Sequence, residues 1–186
     1  MGALIALLAV AGFASATNPD PVKMVLRLSD VPRGFHTASS GYKSTAAVAK
    51  GSTVSLSQYK AWGYVIGYEA DFGQGGSTSD LFSGAAEIAS SAAIYRTDAG
   101  AEASLTSSAK DCAIAPSHEL TVKTRIGNET HLCEVASKSG DKTAEIYGVL
   151  WRHGRVRAFV GLAGIKGRVS ATEAISLAIR QDQRIR

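Results

Sequence analysis

The sequence predicts an α+β fold: a two-layer sandwich of one antiparallel sheet with its helices on one face. Three observations carry this. Residues 64–72 alternate Tyr64, Ile66, Tyr68, Ala70 and Phe72 with Val65, Gly67, Glu69 and Asp71, the period of a strand with one face in the core. Residues 144–152 and 155–163 meet at His153-Gly154, where glycine supplies the positive φ of a tight hairpin. The order strand–strand–helix then occurs twice, over residues 64–112 and over 144–185.

The elements follow in chain order. Residues 1–16 read as a signal peptide and 17–186 as a single α+β domain. Residues 3–13 are an uncharged run of apolar and small residues, and Ala14-Ser15-Ala16 fits an A-x-A cleavage site, although a basic segment ahead of the run is missing. The run is short of the roughly 20 residues a membrane-spanning helix needs. No Cys stands beside the cleavage site, so lipid anchoring is not expected. Asp20-Pro21 predicts the cap and first position of a helix through Val22, Val25, Leu26 and Leu28, ended by Pro32 and Gly34. Residues 36–53, rich in Ser, Thr, Gly and Ala, read as a loop with weak helix over 45–50. A short helix over 54–61 leads to the strand at 64–72, and a glycine-rich loop over 73–77 follows. A second strand runs over 87–96. Asp98 then caps a helix to Cys112 with the stripe Ala101, Leu105, Ala109 and Cys112. Leu120, Val122 and Ile126 mark a strand, Gly127-Asn128 a turn, and residues 129–135 another strand. After a polar hairpin at 138–142 and the long hairpin already described, Ser170-Ala171-Thr172-Glu173 forms a capping box. The last helix buries Ala174, Ile175, Ala178, Ile179 and Ile185.

The chain of 186 residues is long enough for its own core. With 45% hydrophobic and 19% charged residues, it is neither a disordered tail nor a charged fibre. In an oxidising compartment the even pair Cys112 and Cys133 predicts one disulfide; two buried free thiols are the alternative. A secreted or extracytoplasmic location, in the periplasm or cell envelope, is the expectation.

Several phrases carry a resemblance. They are Leu26-x-x-x-Asp30-Val31-Pro32-x-Gly34-Phe35, Trp62-Gly63-x-x-x-Gly67-Tyr68, Ile126-Gly127-Asn128-Glu129 and Trp151-Arg152-x-Gly154. With them the chain resembles a loose group of uncharacterised exported bacterial proteins related to extracytoplasmic sensor-like domains and small lipoproteins. The resemblance implies an exported domain. Its motifs are structural and transfer no catalytic residue.

Chemistry-bearing constellations are sparse. His36, His118, His131 and His153 are scattered; His131 and Cys133 share a strand face, but a metal site needs a third ligand, so no metal is expected. No Gly-x-Ser-x-Gly elbow occurs. Cys112 sits on an apolar stripe that disfavours its thiolate. Glu69 and Asp71 share a face, as an acid–base pair would, and equally as a solvated outer face does. The glycines over 161–167 match neither phosphate-binding spacing. Two binding surfaces remain. Tyr64, Tyr68, Phe72, Tyr95, Tyr147 and Trp151 line a small-molecule pocket between sheet and helices, or simply form core. Residues 151–186 carry eight Lys and Arg against Glu173 and Asp182, a net of +6 that leaves −2 for the rest of a chain of net +4. Within that set Arg155, Arg157, Lys166 and Arg168 are candidate anion-binding residues.

The function expected is a secreted, non-enzymatic ligand- or partner-binding domain of the bacterial cell envelope. The partner is a small amphipathic ligand, or an anionic envelope polymer or lipid. No cofactor and no nucleic acid is expected. A small extracytoplasmic hydrolase with an unrecognised site and a structural or assembly module are the alternatives.

Overall fold

A computed structural model describes residues 19–74, 81–82, 84, 86–114 and 116–186. The expected signal peptide and most of the loop after residue 74 lie outside them. Seven strands form one sheet: β1 (His36–Lys43), β2 (Tyr64–Gly73), β3 (Glu87–Tyr95), β4 (Ser117–Leu120), β5 (Glu129–Ser139), β6 (Lys142–His153) and β7 (Val156–Ile165). Their order is β1-β2-β3-β7-β6-β5-β4, and every neighbouring pair is antiparallel. Among the described residues four α-helices accompany them: α1 (Thr45–Lys50), α2 (Leu56–Ala61), α3 (Asp98–Cys112) and α4 (Ala171–Ile185). The fold is α+β with an antiparallel sheet, and strand–strand–helix occurs twice, as β2-β3-α3 and β6-β7-α4.

The helices do not share one face. On one side Ala174, Leu177 and Ala178 of α4 meet Ile88, Val149, Trp151, Val160 and Leu162. On the other, Leu105 of α3 packs with Leu150 and Phe159, and Tyr59 of α2 packs with Tyr64, Tyr95 and Ala101. Neighbouring residues such as Val149 and Leu150 therefore serve opposite cores, as the two-residue period of a strand demands. The expected single helical layer is corrected to helices on both faces. The central strands carried that signal: residues 158–165 are an apolar and glycine run without polar alternation, the mark of a strand covered twice.

Local chemistry explains the other departures. The expected first helix is two 3-10 turns, Pro21–Lys23 and Leu28–Asp30, joined by a non-helical stretch that buries consecutive Met24, Val25 and Leu26. A helix cannot bury three successive residues in one groove. Residues 36–43, expected as loop, form the edge strand β1; they are mostly exposed, so their pattern carries no core face. Residues 121–128 lie outside any strand, so the expected strand through Ile126 ends at Leu120, while β5 extends to Ser139. Thr97, not Asp98, caps α3, its hydroxyl accepting from the Gly100 N–H at 3.1 Å. Ser170 caps α4 as expected, accepting from the Glu173 N–H at 3.3 Å and donating to the Glu173 carboxylate at 3.0 Å. Gly154 holds φ at +55° in the β6–β7 turn.

Cys112 and Cys133 form the disulfide, with their Cα atoms 5.4 Å apart. It ties the C-terminal end of α3 to β5 and lies against Leu105 and Leu150.

Candidate functional site

The α3 side of the sheet is incompletely covered. The short α1 and α2 stand over β1 and β2, and α3 stands over β6 and β7. Between them lies a cleft of about 530 Å³, within the size class of small-molecule sites. Its floor includes Gly67, Ser91, Ala93 and Phe159, and its walls include Val48, Tyr59 and Tyr64. Small residues on adjacent strands keep that floor low. Gly67 pairs with Ala93, which pairs with Arg157; Glu69 pairs with Ser91, which pairs with Phe159. A Cβ on Gly67 would lie 2.5 Å from the Tyr64 hydroxyl, so a larger residue there would have to displace that side chain.

An aromatic chain closes one end. Trp62, Tyr59, Tyr64 and Tyr95 meet edge to face, with successive centroids 5.5, 5.7 and 5.6 Å apart. Each tyrosine hydroxyl has a partner: Tyr59 and the Ser52 hydroxyl at 3.2 Å, Tyr64 and the Lys43 carbonyl at 2.8 Å, Tyr95 and the Ser104 hydroxyl at 2.6 Å. Burial pushes the Tyr64 phenol far above its ordinary range, helped by the neighbouring Tyr95 and Tyr59. Burial also raises Tyr95, against the opposing pull of the nearby Arg157 guanidinium. These phenols are neutral packing groups at neutral pH.

The polar groups of the cleft are unequally matched. The Lys43 ammonium pairs with the Glu69 carboxylate at 2.8 Å. Arg157 has no carboxylate within salt-bridge distance among the described residues, and its Nε is buried without a hydrogen-bond partner. A buried guanidinium nitrogen left in this way is uncommon and costly.

The six expected aromatic residues do not line one pocket. Tyr64 and Tyr95 face α2 and α3, whereas Phe72, Tyr147 and Trp151 belong to the core under α4. A register irregularity between Tyr64 and Ile66 turns Tyr64 to the opposite face from the rest of its strand. Tyr68 borders the cleft but packs against the α4-side core and meets Tyr42 edge-on at 5.0 Å. Trp151 is fully buried, its indole N–H donating to the Asp182 carboxylate at 3.2 Å. The Tyr147 phenol is pushed up to about 12 by burial and by its bond to Glu145.

The four basic candidates separate likewise. Arg155 and Arg157 lie at one end of β7, Lys166 and Arg168 beyond its other end, about 30 Å away at the usual rise of a strand. Lys166 pairs with Glu145 at 3.4 Å. Arg168 borders a second hollow of about 590 Å³ beside α4, with Phe35, Leu162 and Leu177. Arg157 alone enters the cleft. Its place there escaped sequence reasoning, because only the pairing register sets it across from Ala93.

The remaining chemistry is otherwise engaged. The disulfide removes both thiols from nucleophilic or ligating roles. His131 lies between two carboxylates, Glu119 at 2.7 Å and Glu129 at 3.0 Å; although burial opposes its charge, these partners raise its pKa on balance. Glu69 and Asp71 each pair with β1, Asp71 accepting from the Ser39 hydroxyl at 2.5 Å. Among the described residues no group of three or more His, Cys, Asp or Glu is placed to hold a metal ion, and no helix is long and apolar enough to cross a membrane.

No family model and no curated protein matches the chain. Among solved structures it is similar to the extracellular domain of PknH from Mycobacterium tuberculosis. The TM-score is 0.52 at 12% identity, covering 88% of this chain and 94% of that one. The likeness is one of fold.

Proposed function

We propose that this chain is an extracytoplasmic, non-enzymatic binding domain that holds a small amphipathic ligand in the cleft between its sheet and α1 and α2. The carrying observation is the cleft itself. Val48, Leu150 and Phe159 offer apolar surface beside Ser52, Ser91 and Arg157, the mixture a small-molecule site needs. Three features support the compartment: the apolar N-terminal run, the disulfide, and the extracellular origin of the structural neighbour. Binding to an anionic polymer has less support, because the basic residues that would serve it divide between the two ends of β7.

The test uses a neutral amphipathic dye, N-phenyl-1-naphthylamine, whose fluorescence rises in apolar sites. The mature domain should bind it saturably at one site. Ser91→Phe, which fills the floor, and Ala47→Trp, which narrows the wall from the exposed side of α1, should each abolish the signal with thermal unfolding still cooperative. Undiminished binding in both folded variants refutes this location, and no binding by the parent protein refutes the reading.

A further inference from the structure

We infer that the cleft selects an amphipathic anion, with the Arg157 guanidinium as the anchor for its carboxylate or phosphate headgroup. This rests on the cleft being a ligand site. One row across this face of the sheet reads Lys43, Gly67, Ala93, Arg157, Arg152 and Glu129, each paired with the next. It contains three cations. Lys43 is matched by Glu69 at 2.8 Å. Arg152 is matched twice, by Glu102 at 3.0 Å and Glu129 at 3.4 Å. Arg157 is the exception: it has no carboxylate partner among the described residues, and its Nε is buried and unbonded.

The residues beside Arg157 in its row are small, with the Tyr64 hydroxyl lying over Gly67. The residue across from it on β3 is Ala93, and the next strand presents Gly67. Nothing larger than a methyl group stands in the row between Arg157 and Lys43. Tyr59 and Tyr64 direct their hydroxyls to Ser52 and to the Lys43 carbonyl, and Tyr95, bonded to Ser104, also meets the Arg157 guanidinium, which leaves the Arg157 Nε as the unmatched donor. The unmet demand is thus for an acceptor, and it is located on a cation. A guanidinium presents its N–H groups in a planar fork that matches an oxyanion. Phe159, Leu150 and Val48 line the same cleft and supply the surface for an apolar tail. Lys43 and Glu69 neutralise each other at the β1 side, which leaves Arg157 as the net charge of the site.

The experiment is displacement of the neutral dye from the mature domain by five competitors: decanoate, decyl phosphate, decanol, decylamine and inorganic phosphate. A charge-assisted hydrogen bond predicts that at least one of the two decyl anions competes about tenfold to a hundredfold better than decanol. Which of the two is tighter separates a carboxylate from a phosphate ligand. Decylamine should be weakest of the decyl compounds. Inorganic phosphate should compete far worse than decyl phosphate. Arg157→Met should lose the preference for anions, read as the ratio of decyl-anion to decanol competition within that variant. Arg157→Lys should keep part of that preference, and Arg155→Met, outside the cleft, should keep all of it. Equal competition by decanoate, decyl phosphate and decanol in a protein that binds the dye overturns the anion inference and leaves the cleft reading standing. Inorganic phosphate matching decyl phosphate overturns the amphipathic part. Absence of dye binding overturns the cleft reading itself.

Discussion

Removing the disulfide tests how α3 is held to the sheet beside the cleft. The perturbation is the double variant Cys112→Ala with Cys133→Ala. The bridge closes a segment of sequence separation 21, and the chain-entropy relation for that length gives about 3 kcal/mol at 25 °C. Alanine rather than serine is the right replacement, because both sites are buried, at 5% and 8% exposure, against Leu105 and Leu150. A hydroxyl there would add an unmet hydrogen-bonding group to the loss. The assay is urea unfolding followed by tryptophan fluorescence; Trp151 is fully buried in the α4-side core and reports global unfolding. At a slope of about 2–3 kcal/mol per molar, the midpoint should fall by about 1–1.5 M. Adding a thiol reductant should shift the parent protein towards the variant and leave the variant unchanged. A loss below about 1 kcal/mol, or a parent insensitive to reductant, would refute the reasoning.

Three further perturbations follow from the same geometry. Gly100→Ala should destabilise the fold by more than 1 kcal/mol in thermal unfolding, because the new Cβ would lie 1.9 Å from the Trp62 carbonyl oxygen; the helix-propensity gain of about 1 kcal/mol would appear if that contact were absent. Leu105→Ala, at a fully buried site beside the disulfide, should cost about 2–5 kcal/mol, and a loss under 1 kcal/mol would mean α3 is not seated as described. His131 has a raised pKa in the folded state, so its contribution is full below its unfolded value of about 6.5 and fades as pH rises through the folded value. The stability gap between the parent and His131→Gln should therefore be larger at pH 5.5 than at pH 8.5, and a gap that widens with pH would contradict the two-carboxylate cradle.

Much of the fold was legible because a single core face writes a simple pattern. Residues 64–72 and the His153-Gly154 hairpin announced themselves by alternation and by a glycine that the turn requires. Two features were not legible for physical reasons. β1 has no buried face, so its residues obey no apolar period; only its hydrogen bonds to β2 make it a strand. The division of helices between both faces lay in the doubly apolar runs of β6 and β7, which resemble one-sided strands when read two residues at a time. The site was harder still. Tyr64 belongs with Tyr95 and not with Phe72 because of one irregularity beside Val65, which no periodicity foretells. Arg157 looked like one of four surface cations. Register placed it opposite Ala93, in the row of Gly67, and left Lys166 and Arg168 about 30 Å away.

The cleft is tested most directly by nuclear magnetic resonance. Decanoate and decyl phosphate would each be titrated into isotope-labelled mature domain, with backbone amides and the arginine Nε–H signals observed. The account predicts saturable shifts confined to Gly67, Ser91, Ala93 and Phe159, together with a large shift of the Arg157 Nε–H. Shifts centred instead on Phe72, Leu162 and Leu177 beneath α4, or no saturable shift with either ligand, would contradict it.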